Sequence, residues 1–336
     1  MERTTEFRLC SIAARNYLGS VSLLVQSFQV HHPGIPVTVL VVDGDEHDTY
    51  DDLPFEVVLP DALPLAPETF GRMATYYDVT ELSTALKPFL LEVLLARGDG
   101  VVVYLDPDIE VFAPLDDLIR QAAEDQVVLT PHVTRPVPRD GMGFAEESLL
   151  LSGQFNLGFL ALTPEAMPLV DYWKERTRLY ALRDVERGYF TDQRWMDAVP
   201  VLFEHSVCVD PGCNVAYWNL HERELACTDG SWTVNGVPLK FFHFSGHRAE
   251  DPFVLSAHLE GRSRVSVSEN DALRSLLRSR AERMLDANDR FLAAPYRFDR
   301  TRTGLPLSPE LRRFYWRAVV HAEASDIDSP PHGFGR

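Results

Sequence analysis

The stretch VVVYLDPDIEVF, residues 101–112, decides how this chain is read. Three valines, a tyrosine and a leucine in succession mark a strand buried on both faces of a parallel sheet, where no solvent face imposes alternation. The run then breaks into charge at Asp106 and Asp108. Residues i and i+2 of an extended strand point to the same side, so these two carboxylates converge at the strand's carboxyl end. Open α/β sheets bind ligands there. Two such carboxylates are hard oxygen donors for a divalent cation such as Mn²⁺ or Mg²⁺, which can in turn bridge a diphosphate. A bare D-x-D elsewhere is a solvated turn. Here the buried run before it, and Ile109, Val111 and Phe112 after it, favour the metal site.

Upstream, Phe7 to Ile12 reads as a strand, and Leu18, Val21, Leu24, Val25 and Phe28 fall at helical spacing over 17–30. HHPGIP breaks that helix, and VTVLVVDG at 37–44 is a second buried strand, which makes a β-α-β unit. FEVVLP at 55–60 is a third strand. Helices follow from about Glu68 through YYDV and from about Thr80 to Ala96, with Pro88 either kinking the second or marking its start. Downstream, strands are expected at 126–131 and 155–162, separated by a long loop over 132–154. A helix at 164–183 carries Thr163 as N-cap and Pro164 at its first position. Short β-like pieces at 201–204 and 207–210 precede VPLKFFHFSGH at 237–247, which alternates apolar and polar residues.

Past Asp251 the pattern changes to charged amphipathic helices at 270–292 and 308–322, ending in a tail, SDIDSPPHGFGR, that reads as disordered. The expected architecture is α/β: a Rossmann-like, mostly parallel central sheet flanked by helices over 1–250, a helical extension over 251–324 packed on it, and a flexible tail over 325–336.

With 336 residues, 45% of them hydrophobic, the chain can bury a large core. A net charge of −18 repels nucleic-acid backbones and anionic lipid. The basic cluster Arg297, Arg300 and Arg302 is broken by Asp299 and reads as solvated surface. Cys10, Cys208, Cys213 and Cys227 have no zinc-ligand spacing and read as reduced, buried thiols. No apolar segment approaches the roughly 20 residues that span a bilayer, and the opening residues lack a basic start followed by an apolar run. A cytoplasmic location without an integral membrane segment is expected.

VVVYLDPDIEVF resembles the D-x-D segment of the GT-A-fold glycosyltransferases, and the order of the segments around it is similar to that of family 8-like retaining members. SIAARNYL at 11–18 looks like the family's first strand-to-helix turn, which implies that Ser11, Asn16 and Tyr17 receive the nucleotide base and ribose. Capping and packing would explain the same residues. Lys87, which interrupts an apolar stripe, matches a basic residue facing sugar or phosphate; a lone helical lysine can also be solvated surface.

FNLGFLAL at 155–162 resembles a segment whose Asn156 and Gly158 lie against the transferred sugar, although a loop backbone could equally satisfy a buried amide. TDQRW at 191–195 is similar to the segment in which Asp192 contacts sugar hydroxyls and Gln193 lies near the anomeric carbon; Thr191 and Asp192 also suit a helix N-terminus. In FFHFSGH the resemblance implies His243 as third metal ligand beside Asp106 and Asp108, with Gly246 allowing close approach of a phosphate; a histidine among aromatics can also be structural. The family pattern continues to a lysine, where this chain has His247 and Arg248, so Arg248 is the candidate partner of the diphosphate. Tyr217 and Trp218 fit either an acceptor wall or core.

The resemblance implies transfer of a hexosyl unit from a nucleoside diphosphate sugar to a hydroxyl acceptor, metal-dependent and retaining. An inverting enzyme would instead need a carboxylate base, for which Asp192 and Glu146 are candidates. A nucleotidyltransferase is the rival enzyme class, and a catalytically silent nucleotide-sugar-binding protein the rival outside catalysis. The C-terminal helices are open to three uses: completing the acceptor site, self-association into a homo-oligomer, or packing on the sheet.

Overall fold

The computed structural model describes residues 5–98, 100–288, 291 and 294–334. Strands β1 (Phe7–Ala13), β2 (Val37–Val41), β3 (Glu56–Val58) and β4 (Val101–Leu105) run parallel. Helices α1 (Leu18–His31), α2 (Pro67–Tyr76), α3 (Val79–Ala85) and α4 (Lys87–Leu95) lie between them in the chain. After β4 come the short β5 (Ile109–Val111), α5 (Asp116–Asp125), β6 (Val127–Pro131), α6 (Glu146–Ser152) and β7 (Phe155–Leu162), the last antiparallel to both β4 and β6. Next are α7 (Met167–Tyr180), the small hairpin β8 (Arg183–Asp184) and β9 (Tyr189–Phe190), α8 (Val199–Leu202) and β10 (Ser206–Val207).

The central sheet has seven strands in the order β10-β6-β7-β4-β1-β2-β3. Strands β11 (Leu225–Thr228), β12 (Ser231–Val234) and β13 (Val237–Pro238) form a separate antiparallel sheet, and β14 (Phe241–His243) pairs antiparallel with β5. Two helices, α9 (Asp271–Asn288) and α10 (Pro309–Ala324), complete the described chain. This is the expected α/β architecture with a mostly parallel central sheet flanked by helices.

Alternate residues of each central strand enter opposite cores, which is why the strands read as unbroken apolar runs. Ile12, Leu40, Val102, Tyr104 and Leu129 face one core with Leu90 of α4 and Trp173 of α7; Leu9, Val39, Val103 and Val128 face the other with Val21 and Phe28 of α1. The sheet grows outward from β1 through β2 to β3, then resumes on the other side of β1 with β4. That reversal opens a crevice at the carboxyl ends of β1 and β4, where Asp106 follows Leu105.

Local differences from the expectations have physical reasons. The stretch expected as one helix over 80–96 is two, α3 and α4, divided at Leu86, and Pro88 lies in the first turn of α4, where its missing N–H costs nothing. Residues 201–204 do not form a strand: Val201 and Leu202 end α8, which starts with Pro200 in its first turn. The loop over 132–154 contains α6. In the helix expected at 164–183, a 3₁₀ turn over Pro164–Ala166 precedes α7, and the Thr163 hydroxyl makes no capping bond. Cys10, Cys208 and Cys213 are buried, but Cys227 is exposed.

Arg297 is not a solvated cation: it pairs with Asp45 at 2.5 Å and Asp48 at 3.1 Å, so the segment near the C-terminus packs against the loop after β2. The end of the chain is also packed, with Gly333 N–H donating to Thr75 Oγ1 at 3.0 Å and the Phe334 ring against Phe298 at 4.8 Å. Of the expected helix at 270–292, positions 289, 290 and 292 lie outside the described residues, as do 335 and 336 of the tail. No described helix is long and apolar enough to cross a membrane.

Candidate active site

A cleft of about 770 Å³ opens at the carboxyl ends of β1 and β4. Its floor holds Asp106, Asp108, Asn156 and His243, one wall carries Asn16, Tyr17 and the hydroxyls of α3, and the other carries Gln193, Tyr217 and Trp218.

The antiparallel pairing of β14 with β5 brings His243, opposite Ile109, to the carboxylate pair, so that the three residues could together hold a metal ion. His243 Nε2 lies 3.0 Å from Asp108 Oδ1 and 3.9 Å from Asp106 Oδ2. One ligand atom from each residue falls within 4.8 Å of the others. Asp106 and Asp108 keep 25% and 20% of their side chains exposed, enough for a cation to enter from the cleft. Burial opposes a charge on His243, yet Asp108 outweighs it and holds the imidazole pKa above its ordinary value. The same pairing, against the effect of burial, holds the Asp108 carboxyl below the usual carboxylate range.

Backbone donors determine how this imidazole is presented. Leu157 N–H donates to Gln193 Oε1 at 3.2 Å, so that atom is the amide oxygen, and it also accepts from Asn156 Nδ2 at 3.3 Å. Gly158 N–H donates to Asn156 Oδ1 at 3.1 Å, which identifies that oxygen in turn. His243 Nδ1 lies 3.2 Å from it and must carry a proton, so Nε2 is the nitrogen presented to the carboxylates. Nε2 is paired with Asp108 when protonated and free to bind a cation once that proton leaves. Gly158 has no side chain because none fits: a Cβ would lie 2.4 Å from His243 Cε1.

Lys87 is buried rather than solvated. Its Nζ donates to the Leu157 carbonyl at 3.0 Å and forms ion pairs at 3.2 Å with both Asp106 Oδ1 and Asp192 Oδ2. Burial is the largest influence on this ammonium and disfavours it, but the two carboxylates together raise its pKa. Burial raises the pKa of Asp192, Lys87 pulls it back and Asp106 adds to the rise, leaving it above the usual value. Tyr104 donates its hydroxyl to Asp106 Oδ1 at 2.6 Å.

Of the residues singled out in the sequence, Asn16, Tyr17, Lys87, Asp106, Asp108, Asn156, Asp192, Gln193, His243 and Gly246 all line the cleft, together with Tyr217 and Trp218. Ser11 does not: its hydroxyl donates to the Leu105 carbonyl at 2.7 Å, tying β1 to β4. Gly158 lies behind His243. Arg248 is exposed and outside the cleft. Glu146 is also outside it, 3.8 Å from Arg139.

Sequence reading missed His132, Phe144, Arg183 and His258, all of which face the cleft from loops or short hairpins. His132 alone left a signal, a histidine at the carboxyl end of a strand. Burial pushes its pKa down to about 4, so it meets a substrate as a neutral ring.

No family model matches the chain. It is 25% identical over 252 residues to the uncharacterized protein YfnF of Bacillus subtilis, covering 71% of this chain and 81% of that protein. It is 25% identical over 248 residues to YfnD of the same organism, covering 71% and 78%. Among solved structures, the galactosyltransferase LgtC in complex with donor and acceptor sugar analogues aligns with a TM-score of 0.45 and 15% identity over 86% of this chain and 97% of that one. Mouse xyloside xylosyltransferase 1 aligns with a TM-score of 0.42 and 14% identity over 70% and 97%. The glycosyltransferase GlyE of Streptococcus pneumoniae aligns with a TM-score of 0.42 and 12% identity over 88% and 66%.

Proposed function

We propose that this chain is a metal-dependent glycosyltransferase that moves a hexosyl unit from a nucleoside diphosphate sugar to a hydroxyl acceptor, with retention of anomeric configuration. The observation that carries the reading is the cluster of Asp106, Asp108 and His243 on the cleft floor, with the His243 Nδ1 proton committed to Asn156. Two carboxylates and a neutral imidazole nitrogen suit Mn²⁺ or Mg²⁺. When bound, such a cation supplies positive charge for a departing diphosphate.

The chain's own residues do the rest. Asn156 and Gln193 orient His243 through their amide chain, and Lys87 holds Asp106 and Asp192 at a fixed separation. Asp192 and Gln193, adjacent on the same wall, face the hexosyl unit. Asn16 and Tyr17 line the end of the cleft nearest β1 and receive the nucleoside. In the transfer the bond from the anomeric carbon to the diphosphate oxygen breaks, its electron pair leaves with the diphosphate, and the acceptor oxygen forms the new bond on the same face. The acceptor proton passes to the leaving phosphate. The aromatic wall of Phe144, Tyr217 and Trp218 offers apolar faces for a sugar ring.

A nucleotidyltransferase would present a basic loop after β1 to the phosphates. The cation in that turn, Arg15, is instead engaged by Asp43 at 3.5 Å and Asp48 at 3.2 Å.

The test is incubation of the purified protein with a panel of nucleoside diphosphate sugars, in Mn²⁺ or in EDTA, with free nucleoside diphosphate as the readout. Metal-dependent release from one donor is expected. If no donor is hydrolysed and no nucleoside diphosphate raises the melting temperature in Mn²⁺, the reading fails.

A further inference from the structure

Among the described residues lining the cleft, two side chains carry a permanent positive charge, Lys87 and Arg183. Lys87 is already engaged, by a hydrogen bond to Leu157 O and by ion pairs with Asp106 and Asp192. The guanidinium of Arg183, by contrast, has no hydrogen-bond or ion-pair partner among the described residues. Its backbone is nonetheless firmly held. Arg183 N–H donates to Glu81 Oε1 at 2.6 Å, and Arg183 pairs with Phe190 across the hairpin of β8 and β9. Glu81 is itself fully buried and pinned by the capping box of α3 and by Arg313. A firmly held backbone therefore carries an exposed, uncommitted arginine side chain at the cleft lining.

Gly246 and His258 line the same cleft as Arg183. Gly246, at φ +72°, packs against the ring of His258, and a Cβ there would lie 2.7 Å from His258 Cδ2. Burial, and after it the charge of Arg183, holds the His258 imidazole below its ordinary pKa, so a neutral hydrogen-bonding ring faces the same space.

Charge counting identifies what the guanidinium is for. With His243 neutral, as a metal ligand must be, Asp106, Asp108 and Asp192 against Lys87 leave this part of the cleft with a surplus of two negative charges, which one divalent cation cancels. A nucleoside diphosphate sugar then brings further negative charge into a protein that already carries −18. Arg248, at the place the family resemblance assigns to the compensating cation, is exposed and is not among the residues that line the cleft.

We propose that Arg183 receives an anionic group of the donor, either the diphosphate or a carboxylate on the transferred sugar, so that the missing cation is supplied from the hairpin of β8 and β9. This rests on the transferase reading above.

The full chain tests it by calorimetry in Mn²⁺. The nucleoside diphosphate among UDP, GDP, ADP and CDP that stabilises the wild type most is titrated alongside its parent nucleoside and its hexose and hexuronate conjugates. Arg183→Gln and Arg183→Lys are compared with wild type. If the diphosphate is the anion, Arg183→Gln weakens nucleoside diphosphate binding about tenfold or more, leaves the nucleoside unchanged, and Arg183→Lys recovers part of the loss. If the anion is a sugar carboxylate, Arg183→Gln loses a similar factor for the hexuronate conjugate alone. Equal affinities of wild type and Arg183→Gln for every compound overturn the assignment. A wild type that binds none of the diphosphates removes the transferase reading itself.

Discussion

Charge is buried in two regions of this molecule and handled in opposite ways. In the cleft Asp106 and Asp192 share one ammonium, that of Lys87, while Asp108 pairs with His243, and Asp106 and Asp108 both line the open space. In the C-terminal extension the buried cations Arg280 and Arg312 have partners inside the protein. Arg280 of α9 lies 3.5 Å from Glu110, which Arg283 also engages at 2.5 Å, and it donates to Ser20 Oγ at 3.0 Å. Arg312 of α10 donates to the carbonyls of Ala74, Thr75, Tyr77 and Phe298 at 3.0, 3.1, 2.6 and 2.6 Å. The first three lie at the end of α2, where carbonyls lack helical partners, so Arg312 fastens α10 onto the sheet's helical layer. A compensated charge holds the fold, whereas an uncompensated cluster awaits a partner from solution.

The largest expected effect is at the uncompensated end. Asp108→Asn preserves shape and a polar contact to His243 but removes a ligand charge. Turnover of the donor should fall about a thousandfold, or roughly 4 kcal/mol in the barrier. The metal-free melting temperature should hardly move, because the cluster gains little stability from a third carboxylate. A large drop in metal-free stability would mean that the floor is a structural ion-pair network and would erase the contrast with the C-terminal extension.

Arg312→Met attacks the other end. It leaves several buried carbonyls without a donor and should cost about 3 kcal/mol of stability in denaturant unfolding. Below the unfolding transition the surviving enzyme should turn over donor at the wild-type rate, since no contact of Arg312 reaches the cleft. Loss of activity without loss of stability would show that α10 takes part in the site.

Gly158→Ala tests the space between the regions' two styles of packing. A Cβ at 158 would sit 2.5 Å from His243 Nδ1 and 2.8 Å from Asn156 Oδ1, so the imidazole must turn or shift. Mn²⁺ affinity measured by calorimetry should fall about tenfold, with the fold retained. Unchanged affinity would show that His243 is not a ligand.

The difference between the two regions also explains what the sequence could reveal. Strand β4 was legible because both its burial and the abrupt charge after it follow from local order along the chain. Asp106 and Asp108, however, lie in the turn that follows, where Ile109 N–H donates to the Asp106 carbonyl at 3.0 Å, and not in the extended strand from which their convergence was argued. His243 was legible only through a resemblance, because β14 meets β5 across more than a hundred residues of intervening chain. Ser11 was misread in emphasis: a polar residue in a buried strand needs a partner, and nothing local distinguishes a ligand from the Leu105 carbonyl. Arg183 and Arg312 look alike in the sequence, each an arginine that follows a leucine and precedes a charged residue. Only tertiary packing makes one an uncommitted cleft cation and the other a fully engaged anchor.

The smallest effect concerns how the floor tolerates its surplus of negative charge. Tyr104 and Lys87 both approach the same oxygen of Asp106, Oδ1, at 2.6 and 3.2 Å, while Oδ2 is the oxygen turned toward His243. One oxygen is thus the anchor and the other is presented to a cation. Tyr104→Phe removes one of two anchors and should cost about 1 kcal/mol, seen as a change of about fivefold in Mn²⁺ affinity, because Lys87 still holds Oδ1. Lys87→Met should cost more, since it leaves both Asp106 and the buried Asp192 without a counter-charge. If Tyr104→Phe proves as damaging as Lys87→Met, the phenol rather than the ammonium orients the carboxylate. The floor would then hold its surplus charge by hydrogen bonds rather than by partial compensation.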